Sequence, residues 1–117
     1  MQISENIKNQ ILSIIFNYLN KDHCTIFLFG SYSQNTAKQS SDIDIGIIST
    51  DSLTLSLILS IKEALNENVS ILRDIEVVNF SDKNLDKDFI RIALRNYKIW
   101  HMTKESSEIL NNLIKHI

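Results

Sequence analysis

Apolar residues recur at spacings of three and four from residue 3 to 20, at Ile3, Ile7, Ile11, Ile14, Ile15 and Tyr18, with Ser4 placed to cap them. This spacing predicts an amphipathic helix. TIFLF at 25–29 is an unbroken apolar run stopped by Gly30, which reads as a strand buried on both faces. The polar stretch SYSQNTAKQSS at 31–41 carries turn formers and reads as a loop, or a short helix followed by a loop. DIDIGII at 42–48 then alternates strictly, with Ile43, Ile45 and Ile47 on one face and Asp42, Asp44 and Gly46 on the other. Leu53, Leu57, Ile61 and Leu65 predict a helix over 52–66, with Asp51 as its cap. A third strand is expected over 71–78, with Leu72, Asp74, Glu76 and Val78 on one face and Ile71, Arg73, Ile75 and Val77 on the other. A helix over 84–95, a strand over 97–101 and a helix over 105–116 through Ile109, Leu110, Leu113 and Ile114 complete the chain. The fold class is α/β or α+β, a small mixed β-sheet flanked by helices.

Composition narrows this picture. With 117 residues, no proline and only Gly30 and Gly46 as glycines, there is nothing from which to build a flexible linker, and one domain over 1–117 is expected. The lone Cys24 excludes an intramolecular disulfide and a cysteine zinc site, and it fits a reducing, cytoplasmic setting. The N-terminus lacks the basic and then apolar run of a secretory signal, and no apolar stretch approaches the ~20 residues of a membrane span. Twelve basic against 14 acidic residues give a net charge of -2, so no overall positive field exists to hold nucleic acid through its phosphates.

Aspartate is depleted in strands, so Asp42 and Asp44 among four isoleucines need a reason. Alone they could be the wet face of a strand. Asp74 and Glu76 repeat the arrangement, and if the two strands are neighbours in register several carboxylates converge on one patch. At ~4 Å and an effective dielectric near 20, each like-charged pair costs roughly 4 kcal/mol. Such a cluster holds either a proton or a cation. No histidine or cysteine stands beside the acids on these strands, so an all-oxygen site for Mg²⁺ or Mn²⁺ is the consistent choice. Gly30 and Ser31 end the first strand, where a sharp turn, free amides and a hydroxyl can meet phosphate oxygens. Ten residues, Tyr32 to Ser41, separate Ser31 from Asp42.

LFGSYSQNTAKQSSDIDIGII resembles the G-S, ten residues, D-x-D motif of the nucleotidyltransferase superfamily that includes DNA polymerase beta. The small chain is similar to the minimal nucleotidyltransferases, abbreviated MNT. IEVVNF resembles the strand that carries the family's third carboxylate, and the likeness covers most of residues 25–101. The resemblance implies the polymerase beta-like palm fold, Gly30 and Ser31 at the triphosphate, and Asp42 and Asp44 holding two metal ions completed by Glu76. The family usually has aspartate at the third position, and Asp74 is the substitute candidate. Gln34 and Asn35 stand where members often carry arginine and glycine, with Lys38 the nearest replacement cation.

The implied reaction is attack by an acceptor hydroxyl on the α-phosphate of ATP with release of pyrophosphate. No acceptor-binding domain is visible, so the acceptor is expected to be a separate macromolecule. Minimal nucleotidyltransferases resembling this one are paired with a helical HEPN RNase toxin and act as its antitoxin by transferring AMP to a tyrosine. The competing reading is a degenerate transferase that neutralises the toxin by binding alone. Leu55 and Leu59 lie opposite Leu53 and Leu57, so the second helix is either sandwiched or offers a patch to another chain, and the terminal helix poses the same choice. His23, His101 and His116 are scattered, Cys24 reads as core, and Phe80 and Trp100 are expected to pack the sheet.

Overall fold

The computed structural model describes residues 2–30, 32 and 42–117. Its first helix, α1 (Glu5–Ile15), is capped by the Ser4 hydroxyl, which accepts from the Ile7 amide at 3.2 Å. The helix stops five residues short of the predicted end. Successive turn bonds from Asn17 and Tyr18 to Ile14 and Ile15 carry the chain into a 3-10 turn at Lys21–His23, capped by Asn20. Strand β1 (Cys24–Phe29) follows and is buried along its whole length, as its unbroken apolar run demands.

Strand β2 (Ile43–Ser49) pairs antiparallel with β1. Helix α2 (Leu55–Asn68) connects it to β3 (Ile75–Asn79), which lies parallel to β2. Helix α3 (Lys87–Ala93), strand β4 (Tyr97–His101) and helix α4 (Lys104–Lys115) complete the order. Strand β4 pairs antiparallel with the other side of β1, so the mixed sheet reads β3-β2-β1-β4. This is the mixed sheet flanked by helices that the alternating and helical periods predict.

Two further local expectations differ from the structure. The cap of α2 is Thr54, whose hydroxyl accepts from the Leu57 amide at 3.1 Å. Asp51 instead pairs with His23 at 2.9 Å. Strand β3 begins at Ile75, because the register sets Ile75 against Ile43, the first residue of β2. Asn66 completes that start: its side chain accepts from the Ile75 amide and donates to the Ile75 carbonyl, both at 2.9 Å. A side chain thus takes the place of a strand partner at the sheet edge.

The sheet separates two cores. One face packs Ile26, Leu28, Ile43, Ile45, Ile47, Ile75 and Val77 against α1 and α2, chiefly through Ile11, Ile15, Ile58, Ile61 and Leu65. The other packs Phe27, Phe29, Ile48 and Phe80 against Ile90, Ala93 and Leu94 near α3 and Leu110 of α4. Three aromatic rings form the centre of this second core, with Phe27 and Phe80 centroids 5.0 Å apart and Phe29 and Phe80 5.2 Å apart, and the exposed Phe89 lies against Phe29 and Phe80 at its rim. A buried hydrogen bond of 2.7 Å between Thr25 and Ser106 ties β1 to α4. The apolar stripe of α4 is therefore used internally, whereas Leu55 and Leu59 of α2 are 74% and 55% exposed.

Candidate functional site

Strand alternation and antiparallel register together build the site. Phe29 stands opposite Asp44 and Phe27 opposite Gly46, so Asp44 lies on the aromatic face of the sheet, at the end where β1 finishes. In the parallel pair Asp44 stands opposite Glu76. Asp42, one residue before β2, is exposed. Asp74 is exposed one residue before β3, and its carbonyl accepts from the Ile43 amide at 2.9 Å. Of the two candidates for a third acid, Glu76 is the one aligned with Asp44.

Gly30 adopts φ +75, the left-handed region in which a side chain is disfavoured. A Cβ placed there would lie 2.4 Å from Asp44 Oδ2, so the missing side chain leaves room for the carboxylate itself. Gly30→Ala is expected to lower stability by about 1–2 kcal/mol through its dihedral alone and to displace Asp44. Urea unfolding checks this. A loss below about 0.5 kcal/mol would mean that the turn relaxes without strain.

Burial pushes the Asp44 carboxyl up from 3.8 to about 6, and the neighbouring negative charges of Asp42 and then Glu76 push the same way. The second and third contributions place the three acids in one electrostatic unit. Glu76 also accepts from the Lys62 ammonium of α2 at 2.9 Å, each side chain being 41% exposed. This contact is the main cause that holds the Lys62 pKa above its ordinary value, and Asp74 and Asp42 add to it. Among the described residues no three His, Cys, Asp or Glu side chains form a group ready to hold a metal ion. The donor set nevertheless fits a hard cation: all oxygens, with a half-buried carboxylate whose acidic neighbours, Asp42 and Glu76, add negative charge beside it.

Ser31, Gln34, Asn35 and Lys38 lie outside the described residues. Tyr32 is buried in the α1 side of the core, and its hydroxyl has no hydrogen-bond partner among the described residues. Gly46, on the face of Asp42 and Asp44, leaves no room for a ligand: a Cβ there would lie 2.2 Å from the Phe27 ring, which fills the space. Cys24 is fully buried and its thiol is pushed up to about 11 by that burial, consistent with a core residue. A cavity of about 690 Å³ lined by Ser49, Asp51, Leu55, Asn79, Ser81 and Lys83 lies at the opposite ends of β2 and β3 from Asp44. Among the described residues no helix is long and apolar enough to cross a membrane.

Lys62 was not singled out by the sequence reading. Its place follows from the topology: a helix linking parallel strands runs back over them, so its last turns meet the beginning of the next strand. Lys62 and Asn66, one turn apart, do so at Glu76 and Ile75.

Comparison with known proteins agrees with the fold. The family model described as polymerase beta, nucleotidyltransferase, matches residues 9–106. No curated protein sequence matches the chain. Solved structures share the fold. One is a chain from a toxin-antitoxin crystal structure with AMP-PNP, at TM-score 0.73 and 23% identity, covering 92% of this chain and 84% of that one. Another is a chain from a complex of tri-AMPylated Shewanella oneidensis HEPN toxin with MNT antitoxin, at TM-score 0.70 and 19% identity, covering 97% and 85%.

Proposed function

Because the chain belongs to the polymerase beta nucleotidyltransferase family, we propose that it transfers AMP from ATP to a hydroxyl of a partner protein, a tyrosine of a cognate HEPN toxin, and so acts as an antitoxin. The observation that carries this reading is the alignment of Asp44 with Glu76, beside Asp42 and against the Cα of Gly30. Similar solved chains come from complexes that hold AMP-PNP or an AMPylated toxin, which favours ATP as donor and a toxin as acceptor.

Asp42, Asp44 and Glu76 would hold Mg²⁺ or Mn²⁺, which when bound supplies charge for the triphosphate and lowers the pKa of the acceptor hydroxyl. The chain's own contribution is position and charge. Asp44 is set by two strands and by the Gly30 turn, so its carboxylate is held at the rim of the sheet. The left-handed turn at Gly30 seats the Asp44 carboxylate against the end of β1, so the turn that leads to Ser31 and the acid are held side by side. In the reaction the acceptor oxygen bonds to the α-phosphorus as its bond to the bridging oxygen breaks. Pyrophosphate leaves and the hydroxyl proton passes to solvent.

The exposed Leu55 and Leu59 on α2 supply apolar surface of the kind a protein partner would cover. Incubation with Mg-ATP and the purified toxin is expected to raise the toxin's mass by one or more AMP units, and Asp42→Ala or Asp44→Ala to abolish the increase. A tightly bound toxin that stays unmodified would establish a binding module in place of a transferase. ATP turnover needing no protein would point to a small-molecule acceptor.

A further inference from the structure

We propose that Lys62 is an internal counter-cation that competes with the metal for Glu76, so that metal binding requires Lys62 to be released. This rests on the reading of Asp42, Asp44 and Glu76 as metal ligands. Three observations carry it. The Lys62 ammonium lies 2.9 Å from Glu76 Oε2, in the position a cation would take on that carboxylate. Glu76 stands opposite Asp44 on the parallel strand, so whatever binds Glu76 sits within the field of the same acids. Strand β3 is the sheet edge, and α2 packs on the opposite face through Ile58, Ile61 and Leu65.

Lys62 therefore meets Glu76 around an open edge, not through the sheet, and both side chains are 41% exposed. Neither is locked by packing. A half-exposed pair of this kind is weak and reversible, because water competes for both charges. A divalent ion gathering Asp42, Asp44 and Glu76 gains more from Glu76 than one ammonium does, and it repels that ammonium at close range. The contact thus relieves repulsion among the acids in the metal-free protein and lowers the net attraction for a metal. It differs from an orienting contact, which would strengthen metal binding.

Isothermal titration of the full chain with MnCl₂, without nucleotide or partner, tests this. Lys62→Met is expected to bind Mn²⁺ about tenfold more tightly than the parent, from the loss of one unit of nearby positive charge. Lys62→Arg, which keeps the charge, is expected to stay near the parent. Equal affinity in Lys62→Met and the parent overturns the competition while leaving the metal site itself intact. Weaker binding in Lys62→Met overturns it in favour of an orienting role. No binding by either protein overturns both this inference and the metal reading beneath it. A crystal structure with Mn²⁺ bound is expected to show the Lys62–Glu76 contact broken, and one retaining it at hydrogen-bond distance contradicts the proposal.

Discussion

Asp44→Asn is expected to abolish nucleotidyl transfer and, in the same molecule, to stabilise the metal-free protein at pH 7.5. Both effects come from one carboxylate. The folded state holds it at about 6 against an ordinary 3.8, because ionisation there costs desolvation and repulsion from Asp42 and Glu76. A displacement of that size corresponds to about 3 kcal/mol, which the residual exposure of Asp44 reduces to about 2 kcal/mol. Below about pH 4 the carboxyl is protonated in both folded and unfolded chains and costs nothing. Above about pH 6 it is ionised in both, and the full cost falls on the folded state, so stability from this group declines as pH rises between those values.

Asparagine has nearly the same shape and no charge. It is expected to raise the unfolding midpoint in EDTA by several degrees, at about 4 °C per kcal/mol for a chain of this size, and the gain should shrink toward zero near pH 4. Added Mg²⁺ should stabilise the parent and not the variant. Transfer should fall by about a thousandfold or more. A variant with the parent's midpoint at pH 7.5 would mean that Asp44 carries no such burden, and one that still transfers AMP would remove it from the chemistry.

The largest loss of stability is expected from Gly46→Ala. The added methyl would stand 2.2, 2.4 and 2.7 Å from three atoms of the Phe27 ring, a side chain with no exposed surface. The ring cannot swing clear, because Phe80, Tyr97 and Phe29 lie against it with centroids at 5.0, 5.9 and 6.1 Å. Either β1 and β2 separate or the aromatic cluster repacks. Overpacking of this kind costs about 1–3 kcal/mol and sometimes more, and a rigid ring on a paired strand belongs at the upper end. Denaturant unfolding is expected to show a loss of about 3 kcal/mol, a large share of the stability of an ordinary domain.

Phe27→Leu in the Gly46→Ala background separates this cause from a general weakening of β2. The smaller side chain makes room, so the double variant should be more stable than the two single losses added together. Strictly additive losses would show that the ring is not what the methyl meets. Transfer activity offers a second readout, since Gly46 is two residues from Asp44 on the same face.

Much of the fold was legible because its signals are local. The alternation of Asp42, Asp44 and Gly46 with isoleucines put the acids on one face, and Ser4 announced the start of α1. The cap of α2 was misread for a related reason. Asp51 and Thr54 are both good capping residues by type, and only the position of His23, 28 residues earlier, draws Asp51 away. The start of β3 failed similarly: Ile71 to Arg73 continue the alternation, but a strand exists only where a neighbour pairs with it, and the pairing begins at Ile43 and Ile75.

The sequence by itself determined the order of helices and strands, the face on which the acids lie and the family to which the chain belongs. Periodicity and motif spacing are properties of neighbouring residues, and no folding is needed to read them. Tertiary structure alone decided that Glu76 stands against Asp44, that Gly30 makes room for a carboxylate while Gly46 makes room for Phe27, and that Lys62 reaches Glu76. Each of these joins residues 14 to 32 positions apart, a separation that packing and strand register set and that no local pattern encodes.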